Sequence, residues 1–189
     1  MGTISKSHLN VFNITVGVTL TILILSCVAG NSWLINKRLQ SFSGIWRKCF
    51  ETSNQQGTIC VPYEARDTKE ELLRTFLILA ALSAALCIGF SVLAIYVKYI
   101  NHVHVYFIMF LTFICLICSV PLKTRQIILE MESKRENTDY AFGWAFYVGW
   151  ISAFLSLMFG ICGLVGLHYL EEPEDNFEEQ TDELIFERF

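Results

Sequence analysis

Charge is what this sequence lacks. Asp, Glu, Lys and Arg make up 17% of its 189 residues against 53% hydrophobic ones, a balance that excludes an ordinary soluble domain. With His counted neutral, four stretches carry no charge at all: Leu9 to Asn36, Thr75 to Val97, Tyr99 to Leu122 and Tyr140 to Leu170. Each exceeds the about 20 residues a helix needs to cross the hydrocarbon core. Backbone groups in lipid must pair within their own segment, so runs of this length imply four membrane helices rather than a barrel. No span is expected to carry a buried ionisable residue of the kind that builds a proton relay, ion pathway or catalytic centre. The loops carry no Ser/His/Asp arrangement, paired carboxylates or phosphate cradle. The expectation is a non-enzyme with no catalytic residue, cofactor, metal or nucleic-acid partner.

The chain divides into an N-terminus over 1–10, spans over 11–35, 74–97, 104–122 and 141–169, and a tail over 170–189. A long loop (36–73), a tight turn (98–103) and a medium loop (123–140) connect them. An even number of spans puts both termini on one side and both substantial loops on the other. Lys6, the run Val16 to Leu25 and the small residues Val28-Ala29-Gly30 have the outline of a cleaved leader. The apolar run starts earlier and continues through Trp33-Leu34-Ile35, so a retained span is the better reading. Met1-Gly2 resembles an acylation signal, but position 6 is Lys rather than Ser or Thr.

Two signals disagree about sidedness. Of fourteen Lys and Arg, eleven lie on the loop side and three on the side of the termini, which by the positive-inside rule puts the loops in the cytoplasm. Yet the long loop holds Cys49 and Cys60, a pair with a stabilising use in an oxidising compartment and none obvious in a reducing one. Ser32 to Arg38, Gly44 to Glu51 and Thr58 to Tyr63 read as strands, the last two joined across Asn54-Gln-Gln-Gly57. If the cysteines face each other across that hairpin, a disulfide would stabilise it by about 3 kcal/mol. A zinc clip would need further ligands, and neither substantial loop has a histidine or a third cysteine. Reduced thiols remain the alternative.

Small residues lie in span two (Ala80, Ala81, Ser83, Ala84, Ala85, Gly89) and in span four (Ser152, Ser156, Gly160 at intervals of four, then Gly163 and Gly166). They let helix backbones approach where lipid removes any hydrophobic drive. The expectation is packing within the bundle, with a homo-oligomer as the other use of Ser152, Ser156 and Gly160. Pro121 removes a helical hydrogen bond near the end of span three. Lys123 to Glu136, with Ile127, Ile128 and Met131 at helical spacing and Glu130 four before Lys134, reads as a helical extension of that span. Cys115-x-x-Cys118 lies inside span three, so packing is the expectation rather than redox chemistry. His102 and His104 fall short of a metal site. Asn13-Ile14-Thr15 is a sequon at the end of a span and should be unused. Nine acids and one base fill residues 171–189, so the tail should avoid anionic lipid. Phe177, Leu184, Ile185, Phe186 and Phe189 interrupt its charge and suit a solvated tail or a segment folding on a basic partner.

Trp33, Gly44-Ile45-Trp46, Cys49 and Cys60 together resemble the W…G-L-W…C…C signature of the first extracellular loop of a large superfamily. Its members are claudins, peripheral myelin and epithelial membrane proteins, lens fibre-cell membrane protein and calcium-channel γ-subunits. The resemblance spans nearly the whole chain. Asn31-Ser32-Trp33, the Arg74-Thr-Phe-Leu-Ile-Leu opening span two, and Gly149-Trp150 are similar to the epithelial membrane and lens branch in particular. It implies a claudin-like fold, an all-α membrane four-helix bundle bearing a small extracellular antiparallel sheet. It also implies a Cys49–Cys60 disulfide, cytoplasmic termini, and structural roles for Trp33, Trp46 and Arg74.

Two departures stand out. Strand-forming claudins generally have a longer first loop, and many end in Tyr-Val, whereas this chain ends Glu187-Arg188-Phe189; long-loop γ-subunits carry more in the first loop than fits here. The expected function is a plasma-membrane protein organising cell contacts or junctions through its sheet, touching other membrane proteins in cis or on an opposing cell. The alternative is an auxiliary subunit beside a channel pore or receptor. A paracellular barrier is a third reading.

Overall fold

The computed structural model describes residues 6–52, 57–63, 68–97, 103–133 and 139–171. The acidic tail beyond Glu171, His102, Lys134 and the Asn54 to Gln56 turn lie outside them. Four helices account for most of the described chain: α1 (Lys6–Ala29), α2 (Thr68–Tyr96), α3 (Val103–Ser133) and α4 (Trp144–Glu171). All four are long and apolar enough to cross a membrane. Polar side chains on these helices are largely satisfied locally. Thr15, Thr19, Thr21 and Ser26 each donate to the carbonyl four residues back, at 2.7–2.8 Å, so these four hydroxyls are satisfied within the helix and need no water.

Five strands form one antiparallel sheet at one end of the bundle: β1 (Leu34–Asn36), β2 (Ser41–Ser43), β3 (Arg47–Thr52), β4 (Gly57–Pro62) and β5 (Tyr140–Phe142), in the order β4-β3-β2-β1-β5. Three of the expected strands correspond to β1, β3 and β4; β2 and β5 are additions. At three residues each, Ser-Phe-Ser and Tyr-Ala-Phe are too short to show a period of two. The α3–α4 loop therefore supplies an edge strand, with Ile35 opposite Ala141. In the β3–β4 hairpin Cys49 lies opposite Cys60.

Helix limits differ from the expected spans for physical reasons. The first helix ends at Ala29 rather than at 35, because Trp33 donates its backbone N–H to Ser43 at 2.9 Å and Leu34–Asn36 pair with β2 and β5. Ala141 and Phe142, expected in span four, likewise belong to the sheet, and α4 starts at Trp144. α2 starts at Thr68, with Glu70 and Glu71 in its first turn, where carboxylates suit the positive end of the helix dipole. α3 runs through Pro121 to Ser133 without a break. The arm after Leu122 carries Lys123, Arg125, Glu130 and Glu132 and stands beside the sheet, with Ile127 buried among the residues beneath it.

A large cluster under the sheet joins Ile24, Trp33, Ile45, Leu77, Leu116 and Ile127, among others. A smaller one toward the opposite end joins Val16, Leu20, Cys87, Val105 and Met109. Small residues set the helix approaches. In α2, Ala80, Ser83 and Ala84 are buried while Ala85 and Gly89 face outward, so its small positions divide between two faces. Ser83 and Thr112 share a buried hydrogen bond of 2.8 Å between α2 and α3. The double replacement Ser83→Ala/Thr112→Val should show a coupling of about 0.6 kcal/mol, typical of such bonds between membrane helices. A double-mutant cycle on unfolding in detergent measures it; a coupling of zero would make the pair incidental.

Candidate functional site

The residues singled out in the sequence converge on the seam between α1 and the sheet. A helix leaves its last four carbonyls without internal partners, and at a membrane boundary these cannot all rely on water. Two indoles serve them. The Trp33 Nε1–H donates to the Cys27 carbonyl at 3.1 Å and the Trp46 Nε1–H to the Val28 carbonyl at 2.9 Å. Trp33 is fully buried, whereas Trp46 remains 37% exposed.

Gly44 sits between these indoles for a steric reason. A Cβ there would lie 2.8 Å from the Asn31 Cα and 2.9 Å from the Gly30 carbonyl oxygen, both backbone atoms. The loop Gly44-Ile45-Trp46, which links β2 to β3, can therefore rest directly on the end of α1. Ile45 points into the core and its carbonyl accepts from Arg74 Nε at 3.3 Å and Nη2 at 3.1 Å. The same guanidinium lies 5.2 Å from the Trp46 ring centroid and 3.8 Å from the Glu70 carboxylate. Arg74 thus ties α2 to the loop and holds the second indole in place, a geometry that a lysine ammonium would not reproduce.

Gly149 belongs to the same seam: a Cβ on it would stand 3.1 Å from the Trp33 ring and 3.3 Å from the Cys27 sulfur. Trp150 does not, since it faces outward from α4. Ser152 and Ser156 are buried, donating to the carbonyls of Val148 and Ala153. At Gly160 a Cβ would meet the Phe110 backbone of α3 at 3.5 Å. These small residues pack within the bundle.

The Cys49–Cys60 disulfide is formed. It pins the outermost hairpin, where β4 has no neighbouring strand on its far side among the described residues. Cys49→Ser or Cys60→Ser should lower stability by roughly 3 kcal/mol, the loop-closure entropy for a ring near this size. Unfolding of purified protein with and without reductant measures it, and an unchanged midpoint on reduction would count against that role. The remaining cysteines of the described residues, Cys115 and Cys118 included, are free thiols, and these residues hold no cluster of three metal-ligating side chains.

Several contributors were not foreseen. Lys123, just past the apolar stretch, is buried with its ammonium 5.9 Å from the Tyr63 ring. Burial lowers its pKa, Glu70 and Glu130 raise it, and Arg74 lowers it. Asn13, read only as a sequon residue, is buried and accepts from the Tyr106 hydroxyl at 3.3 Å. Gly143 separates β5 from α4 and donates its N–H to the Trp33 carbonyl. A glycine just before an apolar helix was the available hint, but its contact is with a residue far away in sequence.

Four apolar helices carrying a disulfide-pinned, five-stranded sheet on one end define a multi-pass membrane protein of claudin-like fold. Residues 6–162 match the PMP-22/EMP/MP20/Claudin family, and the chain belongs to that family. No individual curated protein matches it.

Proposed function

We propose that the protein is a non-enzymatic plasma-membrane component that organises cell contacts through its sheet, with the sheet outside and both termini cytoplasmic. The observation that carries this reading is β4. All six of its residues are exposed, Ile59 and Val61 among them, on a strand that lies at the sheet's edge among the described residues. Such an edge is suited to recognition by another chain. The disulfide favours an oxidising compartment. The contrary charge count loses force because several of its cations are engaged in the fold. Lys48 pairs with Glu130 at 3.8 Å, Arg74 holds the Ile45 carbonyl, Arg47 donates to Asn31 and Lys123 is buried. Within the family, Asn31-Ser32-Trp33, Arg74 and Gly149-Trp150 favour the epithelial membrane and lens branch.

In mixed cultures, tagged protein should accumulate where two expressing cells meet, and Ile59→Lys/Val61→Lys should abolish that accumulation while surface expression persists. Uniform surface distribution of the parent protein would sink the contact reading. Peptide mapping of intact cells under non-reducing conditions tests the sidedness: two free thiols at Cys49 and Cys60 would reverse it.

A second reading, an auxiliary subunit of a channel or receptor, draws on the outward face of α2. There Ala85 and Gly89 are exposed, and a Cβ at Gly89 would meet nothing within 4 Å. A partner helix can approach such a surface closely. Co-purification with a pore-forming subunit from native membranes, lost on Gly89→Leu, would favour it over the contact reading.

A further inference from the structure

A cleft of about 400 Å³ opens beside the α1 terminus, lined by Ala29, Asn31, Trp46, Arg47, Cys60 and Pro62. We propose that it binds the phosphodiester of a phospholipid from the leaflet on the sheet side, with an acyl chain running down α1. The inference rests on the chain being a membrane protein and is independent of whether the sheet mediates cell contacts.

Position argues first. Ala29 is the last residue of α1 and one wall of the cleft. Below it at helical spacing lie Leu25, Ile22 and Val18, all exposed. A continuous apolar stripe therefore leads from the hydrocarbon region into a polar cleft at its edge, the same order of chemistry as a phospholipid from chain to headgroup.

The walls argue second. Arg47 donates its Nε–H to the Asn31 Oδ1 at 3.0 Å. That bond orients the guanidinium while leaving its two terminal nitrogens for an incoming anion, and no carboxylate among the described residues pairs with it. A guanidinium fork matches phosphate oxygens in a way that an ammonium does not. The Trp46 indole is held by the Val28 carbonyl and by Arg74, so the cleft wall is set before a ligand arrives, at the depth where tryptophan is favoured.

Native mass spectrometry of the full-length protein in detergent, titrated with a phosphatidylcholine and with the diacylglycerol bearing the same chains, tests this. The phosphatidylcholine should bind in preference, and Arg47→Gln should weaken it about tenfold, a loss in the range expected for charge-assisted hydrogen bonds. Lys37→Gln removes an equal charge from an exposed position outside the cleft and should leave binding unchanged. The intact Cys49–Cys60 mass and the unfolding midpoint establish that each variant is folded. Equal binding of the diacylglycerol, an equal loss with Lys37→Gln, or no loss with Arg47→Gln would overturn the proposal. Displacement of the lipid by millimolar inorganic phosphate would assign the cleft to a small anion instead.

Discussion

Replacing Trp33 by alanine should cost about 3–5 kcal/mol, the range for deleting a large buried aromatic side chain. The side chain is fully buried among Ile24, Leu34, Ile45 and Val120 and is the largest of the completely enclosed residues. Its removal opens a cavity under the sheet and strips the Cys27 carbonyl of its donor, and an unmet buried acceptor adds about 1–3 kcal/mol. Trp33→Phe separates these effects, because it fills most of the space and removes only the N–H. We expect it to lose roughly 1–2 kcal/mol. Trp46→Phe removes a comparable hydrogen bond from a partly exposed position and should cost less than Trp33→Ala. Unfolding in detergent with the disulfide intact measures all three. Similar midpoints for Trp33→Ala and Trp46→Phe would show that the first indole is not the keystone of the seam.

The sequence announces some of this architecture and hides the rest. The four spans are legible because lipid demands long charge-free runs, and composition alone reveals those. Trp33, Gly44, Ile45, Trp46 and the two cysteines are legible as a set, through resemblance. Their roles are not, because each depends on an atom brought near by folding: the Cys27 and Val28 carbonyls for the indoles, the Asn31 backbone for Gly44, the Ile45 carbonyl for Arg74. The end of α1 was hidden by hydropathy itself. Trp33, Leu34 and Ile35 are as apolar as the span before them, yet they leave the membrane helix: Trp33 and Leu34 are buried in the core under the sheet, and Leu34 and Ile35 pair with β2 and β5. Lys123 shows the reverse: a cation that reads as the first loop residue is covered by Tyr63 and the sheet, on a helix that continues beyond the apolar span.

Gly143→Ala should be among the most damaging single-methyl additions available in this chain. The residue follows β5, its N–H donates to the Trp33 carbonyl at 3.0 Å, and Ala145 two residues on donates to the Ser32 carbonyl at 3.2 Å. A Cβ at position 143 would overlap that same Ser32 carbonyl oxygen, and its next neighbour is the Ser32 carbonyl carbon. Both are backbone atoms of the segment leading into β1, so no side-chain rotation relieves the clash. The contrast is Gly163, where a Cβ would overlap the Tyr106 ring, a side chain that Tyr106→Ala would remove. Overpacking a core commonly costs 1–3 kcal/mol; at Gly143, where relief requires separating α4 from β1, we expect more than about 3 kcal/mol. The loss should appear as reduced unfolding temperature in detergent and as exposure of β5 amides to hydrogen exchange before those of β3. Gly163→Ala should be rescued in part by Tyr106→Ala, whereas no side-chain truncation at Ser32 should rescue Gly143→Ala, because the obstructing atom belongs to the main chain. Rescue of Gly143→Ala by Ser32→Gly would show instead that the obstruction is the serine side chain, whose Cβ lies 3.2 Å from the same point.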